Sequence, residues 1–431
     1  MHYSIQRWIE LVRLATYTGL AQGSIQVLSL LSGILVIRLL PTQEYAVYTL
    51  ANTMLGTMTV LADGGISAGV MAQGAAHWNN PRKLGQVIQT GVGLKNKLAF
   101  LSLMVAVPVL VGLLRHHQVS WIISVLIVIS LIPAFIATLT NSLLQVAPKL
   151  HQDVVMLQKN QVQGNIARLG LTVVGVYSFA WAWVAILAAG ISQLWANRDL
   201  KKRTYAYVDW SQDQDADVKR FILSFIGRIL PGALYYCVSG QLVVWLASFY
   251  NTTEAVAQVG ALGRLTTVLG LFVMVANTLL VPRFARLPAQ ASLLLKRYLQ
   301  THALFLGLGV IVCVLVGLFP NQVLYILGRQ YAGLGNELLL NTIGTCLGVL
   351  AGISFSLCTS RGWALAAYIS IPVNVISILA GLLFIKVDSL AGNLTFYLAI
   401  TVVQVLMNAG YGLFKIINIP SVKEKSPLVV L

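Results

Sequence analysis

Apolar runs and short polar seams alternate along the whole chain. Crossing a hydrocarbon core about 30 Å thick takes roughly 20 apolar residues in a helix. Twelve runs approach that length, at residues 17–39, 44–62, 98–114, 119–143, 160–179, 181–196, 221–248, 255–281, 299–319, 338–358, 363–385 and 392–414. The pattern predicts an all-α membrane protein of about twelve transmembrane helices. Ahead of the first run, Ile5, Trp8, Ile9 and Val12 recur at helical spacing opposite Gln6, Arg7, Glu10 and Arg13, which predicts an amphipathic interfacial helix. The first run is long and no small-residue cleavage site follows it, so it reads as a retained helix and not as a signal peptide.

Within the runs, polar residues gather on single helical faces, because positions i, i+4, i+7 and i+11 stack together. The first run carries Gln22, Gln26, Ser29 and Gly33; the second Tyr48, Asn52, Thr59 and Asp63; the fifth Gln161, Asn165, Arg168 and Thr172. The second half repeats this with Arg228, Tyr235 and Ser239, then Ser370, Asn374 and Ser377, then Tyr397, Thr401, Gln404, Asn408 and Tyr411. One such residue is ordinary glue between membrane helices. Six striped helices predict facing polar surfaces and a hydrated lumen.

Composition agrees with the pattern: 57% of residues are hydrophobic and 10% charged, against roughly 25% charged in soluble domains. The net charge of +16 reads as topology. With both termini inside, 22 of the 29 Lys and Arg residues fall in cytoplasmic connections, Lys95 among them. Only Arg38, Arg115, Arg329 and Lys386 fall outside, and Arg168, Arg228 and Arg264 lie within spans. The basic balance therefore implies no nucleic-acid partner. Cys237, Cys313, Cys346 and Cys358 lie inside apolar runs without ligand spacing, and the six histidines are scattered, so neither a disulfide framework nor a metal site is expected.

The longest polar connection, residues 197–220, separates two halves of six runs. It predicts an N-terminal six-helix lobe at 1–200, a solvated cytoplasmic linker at 201–220 with an acidic cluster of Asp209, Asp213, Asp215 and Asp217, and a C-terminal six-helix lobe at 221–431. The spacing of this segment also suits a capped start for the seventh run. Runs two and eight open alike, with Glu44 and Glu254 at their outer mouths, and the segments after runs four and ten also correspond. This is a weak internal repeat of the kind transporters use around a central site.

The arginines set the sign of the expected lumen. At about 1.5 Å rise per residue, Arg264 lies roughly 15 Å from Glu254, near the bilayer midplane, while Arg168 and Arg228 lie about 11 to 12 Å from their cytoplasmic ends. A charge at such depth normally faces a cavity or a partner. Asp63, about 28 Å from Glu44, falls at the cytoplasmic interface. No acid is expected beside the arginines, so the central cavity reads as cationic and suited to phosphates, which guanidinium forks bind well.

The segments 36 VIRLLPTQEYAVYTLANTMLGTMTVLADGGI 66, 253 TEAVAQVGALGRL 265 and 360 SRGWALAAYISIPVNVISILAGLLF 384 resemble the polysaccharide flippases of the multidrug/oligosaccharidyl-lipid/polysaccharide exporter superfamily. One departure is Ala46, where many members have Gly. The resemblance implies two lobes around a V-shaped cavity, alternating access in a bacterial inner membrane, and a lipid-linked oligosaccharide, such as an O-antigen or exopolysaccharide repeat unit on undecaprenyl pyrophosphate, as substrate. It also implies a polysaccharide polymerase or other assembly proteins as possible partners, beside the membrane lipids. Arg264, Arg168 and Arg228 are then the substrate-binding residues. Gln22, Gln26, Tyr48, Asn52, Asn165, Tyr235, Asn374, Gln404 and Asn408 line the lumen, and Asp63, Glu44 and Glu254 stand at its gates and mouths.

Two other functions compete. A cation-coupled drug exporter of the same superfamily uses an acid in its first-lobe cavity, and residues 17–39 contain none. A membrane glycosyltransferase or polymerase needs paired acids or a large outer loop, whereas the outer connections are short. No phosphate-binding loop of an ATPase is present. No cofactor is expected, and a coupling ion such as Na+ or H+ is compatible with the sequence.

Overall fold

The computed structural model describes residues 2–419 apart from Ala364; the side chains of residues 2–18, 228, 229, 231, 233, 234, 236–238, 278, 279 and 282, Arg228 and Cys237 among them, lie outside the described set. All described elements are helical. They run α1 (His2–Leu39), α2 (Thr42–Asp63), α3 (Ile66–Ala75), α4 (Pro81–His116), α5 (Trp121–Leu144), α6 (Val146–Leu150), α7 (Val154–Ser178), α8 (Ala182–Arg203), α9 (Ala216–Tyr250), α10 (Thr253–Thr266), α11 (Gly270–Val275), α12 (Val281–Ala285), α13 (Ala291–Leu318), α14 (Pro320–Tyr325), α15 (Gly335–Ser360), α16 (Ala367–Phe384) and α17 (Leu390–Ile417). Each of the twelve apolar runs overlaps one of these helices or a string of consecutive ones.

Eight segments among the described residues are long and apolar enough to cross a membrane, and the bent α2–α3 pair makes a ninth. Polar and charged residues dilute the first half of α7 and the last turns of α8. Side chains such as Phe100, Leu101 and Met104 on α4 and Ile376, Leu383 and Phe384 on α16 stand more than half exposed. Apolar exposure on that scale marks a surface made for lipid.

The chain forms two compact units, Met1–Ala261 and Leu262–Leu431. In the first, α8 packs between α5 and α7, α7 packs on α1, and α2 packs on α4 and α9. Contact between α5 and α8 is close enough to require a glycine: a Cβ at Gly190 would stand 2.7 Å from the Ala134 nitrogen. In the second unit α15 lies against α17 and α13, around a core that includes Leu294, Tyr298, Ile353 and Leu357.

Two elements differ from the sequence pattern. The amphipathic N-terminal segment and the first span form one unbroken helix, α1. The eighth pass stays one span over Thr253–Val275, but its helix changes type: α10 tightens into a 3-10 turn over Thr267–Leu269, and α11 leads into a π-helical turn over Ala276–Leu280 before α12. Irregular turns inside membrane passes are tolerated where neighbouring groups or a cavity satisfy the freed backbone.

The expected solvated linker is also different, because it is docked. Asp209 N–H donates to the Pro81 carbonyl at 3.0 Å, Gln89 Nε2 donates to the Trp210 carbonyl at 2.8 Å, and Asp215 N–H donates to Thr90 Oγ1 at 2.9 Å. Val208 is buried against Leu84, Val87 and Val218. Of the acidic cluster, Asp215 caps α9 by accepting from the amides of Asp217 and Val218, the capped start expected for the seventh run. Asp209 ties down Ser211 and Gln212, and the Ser211 hydroxyl donating to it holds its carboxyl below the usual range.

Candidate functional site: a buried lysine and a lone arginine

The second pass ends in Asp63-Gly64-Gly65, and its geometry explains that sequence. Gly64 and Gly65 take left-handed φ values of 50° and 96°, which residues with a Cβ adopt only at a cost. The chain turns by 44° there and restarts as α3. The turn brings Ser67 back over Asp63, whose Oδ1 accepts from Ser67 Oγ at 2.5 Å.

Lys95 of α4 enters this corner. It is 2% exposed, and its Nζ lies 2.5 Å from Asp63 Oδ1. It also donates to Ser67 Oγ at 2.8 Å, to the Leu139 carbonyl of α5 at 3.2 Å and to Ser142 Oγ. Sequence reading missed this site, having placed Lys95 in a cytoplasmic connection and Asp63 at the interface as a gate or cap. A usable signal existed. Leu84, Val87, Ile88, Gly91, Leu94, Ser102, Ala106 and Leu110 form the buried stripe of α4, and Lys95 falls on it at helical spacing. Lys97, two residues on, is exposed.

Burying an ammonium is tolerable only with a counter-charge and full hydrogen bonding. Lys95 has both, from α2, α3 and α5. Asp63 is thereby committed to Lys95, and its charge is not available to an arginine elsewhere.

Arg168 presents the opposite case. It lies half-buried on α7, four residues after buried Gly164 and four before buried Thr172. Its Nε has no hydrogen-bond partner, and among the described residues no carboxylate pairs with it. Ten residues before it, α1 and α7 are tied by Gln22 Nε2 donating to Gln158 Oε1 at 3.1 Å, while Gln26 is half-buried. Arg264 is half-buried in the second unit, two residues before α10 ends; its carbonyl accepts from Thr267 Oγ1 at 2.5 Å as the helix tightens. The side chain of Arg228 lies outside the described residues.

The remaining candidates separate by environment. Tyr48 is buried and stacks on Tyr45 with ring centres 5.9 Å apart. Tyr235 and Gln404 are half-buried. Asn52, Asn165 and Asn408 are half-buried and Asn374 is buried; each donates Nδ2 to the carbonyl four residues back, those of Tyr48, Gln161, Gln404 and Ser370, at 2.7 to 3.0 Å. Such back-bonding satisfies an amide N–H without a partner helix. Asn52, Asn165 and Asn408 each keep a second N–H and Oδ1 for another partner. Glu44 lies at the start of α8, where its Oε2 accepts from the Ala182 amide at 2.8 Å, a helix N-terminus that favours a carboxylate. Glu254 is exposed and accepts from Gln258.

Neither the comparison with protein-family models nor that with curated proteins gives a match. The fold is that of the MATE family transporters of the MOP superfamily. An inward-facing multidrug resistance MATE transporter matches with a TM-score of 0.75 at 15% identity, over 92% of this chain and 96% of that one. An outward-facing multidrug resistance MATE transporter matches at 0.63 and 14% identity over 94% and 95%. A MOP superfamily transporter from Pyrococcus furiosus Vc1 (DSM3638), described as having a binding pocket of reverse polarity that suggests a different function, matches at 0.61 and 15% identity over 94% of each chain.

Proposed function

We propose that this protein is a transporter, not an enzyme, that moves an anionic lipid-linked oligosaccharide across a bacterial cytoplasmic membrane by alternating access, with both termini inside and two six-helix lobes as the moving bodies. The observation that carries this reading is Arg168: a guanidinium half-buried among membrane helices, with no carboxylate to cancel it. A pyrophosphate supplies the missing counter-charge through forked, charge-assisted hydrogen bonds. Arg264 and Arg228 act with it in this reading, while the glutamine and asparagine stripes meet sugar hydroxyls. The fold supports the transport part, and the solved structure described by a binding pocket of reverse polarity that suggests a different function is a precedent for this fold serving more than one function. A cationic drug would meet Arg168 unfavourably. Na+ or H+ remains the candidate coupling ion, and a polysaccharide polymerase the candidate partner.

The test is reconstitution. Proteoliposomes containing the full chain are loaded with a fluorescent short-chain lipid-linked oligosaccharide, and its accessibility to an external glycosidase is followed. Translocation lost in Arg168→Ala, with membrane insertion intact, is the expected result. Unchanged translocation in that variant, or export of cationic dyes in place of the glycolipid, refutes the reading.

A further inference from the structure

We propose that the pocket between α12 and the start of α13 binds the headgroup of an anionic membrane phospholipid, a site separate from the transported substrate. The pocket has a volume of about 420 Å³. Arg283 of α12 and Arg297 of α13 converge on it from two helices, beside Gln300 and Thr301, and no acidic residue lines it. Arg297 Nη1 donates to Gln300 Oε1 at 3.2 Å, which orients one guanidinium. Arg283 is exposed and has no carboxylate or carbonyl partner among the described residues.

The wall of the pocket is fixed before any ligand arrives. Phe284 is buried and packs against Tyr298, with ring centres 6.2 Å apart. Arg361 donates to the carbonyls of Phe284 and Leu287 at 3.0 Å each, closing the end of α12. Two cationic donors thus sit on a rigid apolar wall.

The chemistry of the neighbouring surface selects the ligand. Immediately along α13 from Arg297 and Thr301, Leu304, Leu306, Val310 and Ile311 are each more than half exposed. The pocket therefore stands where a basic turn meets an apolar face, the level at which a bilayer places its phosphates. Basic pockets between helices at that level suit anionic headgroups. A zwitterionic headgroup would bring an ammonium against two arginines. A soluble phosphate ester would use the arginines but not the apolar wall formed by Leu280, Phe284 and Leu287.

The experiment is lipid binding by native mass spectrometry on the delipidated full chain in detergent, titrated with phosphatidylglycerol or phosphatidylcholine, with glycerol phosphate as competitor. Phosphatidylglycerol should be retained in preference to phosphatidylcholine and resist displacement by glycerol phosphate. Arg283→Gln with Arg297→Gln should weaken retention about 30-fold, roughly fivefold for each arginine. Gln300→Glu, which adds a carboxylate to the pocket while keeping both arginines, should also weaken it. Equal retention of the two lipids, unchanged phosphatidylglycerol binding in both variants, or displacement by glycerol phosphate at the lipid's own concentration would overturn the proposal.

Discussion

Lys95 Nζ and Asp63 Oδ1 meet at 2.5 Å, and Lys95 has almost no exposed surface. The pair joins the end of α2 to the middle of α4, and through Ser142 and the Leu139 carbonyl to α5. Removing one member leaves a buried charge alone, which costs about 3–5 kcal/mol. Asp63→Asn, which strands the buried Lys95, should therefore lower the unfolding temperature of the purified protein sharply. Asp63→Asn combined with Lys95→Met should recover most of that loss, because no charge is then stranded. A double variant as unstable as the single one would show that the ion pair is not the source.

Arg168 should behave in the opposite way. Having no partner in the described structure, it contributes desolvation cost and no ion pair, so Arg168→Ala should leave thermal stability unchanged or raised. Translocation should fall by at least tenfold in the same variant. Loss of both together would assign Arg168 to folding.

His117, just past the end of α4, bridges Ser248 Oγ at 2.8 Å and Thr253 Oγ1 at 2.9 Å within the first unit. Burial, with His116 beside it, holds its imidazole below the ordinary 6.5, although the hydrogen bond with Ser248 opposes the shift. A base whose folded pKa is lowered binds fewer protons folded than unfolded, so its contribution is complete above 6.5 and is lost as pH falls from there toward the folded pKa. Wild-type stability should drop on acidification below about 6.5, and His117→Gln should flatten that part of the profile. A slope unchanged by the substitution refutes the assignment.

The docked segment after α8 gives a structural check. Val208→Asp puts a carboxylate into the cluster around Leu84 and Val87, at a cost of several kcal/mol by the usual penalty for an unpaired buried charge. Limited proteolysis should spare residues 204–215 in the wild type and cut there in the variant.

Much of the architecture is legible in the sequence because hydrocarbon imposes length and polarity on each pass. The second run, 44–62, is α2 with three residues fewer. The third run, 98–114, marks only the apolar part of α4, which begins at Pro81 behind the Asn80 cap. Its first half has a polar outer face, and run-counting passes over amphipathic turns. The same bias hid Lys95: beside Asn96 and Lys97 it resembles the end of a loop, and only packing from α2 and α5 distinguishes it from its exposed neighbour. The docking of 201–220 was hidden too, since it depends on backbone carbonyls and on Val208, a single apolar residue in a polar stretch. The 3-10 turn after Arg264 has no proline to announce it.

The asparagines of α2, α7 and α17 have a consequence for cargo. Asn52, Asn165 and Asn408 each spend one N–H on their own backbone, which leaves each amide a second N–H and its carbonyl oxygen for another partner. Such an amide can meet a sugar hydroxyl as donor or as acceptor. On the proposed reading, a molecule with a sugar end and a phosphate end would be handled by two separate vocabularies, amides for one and guanidinium for the other.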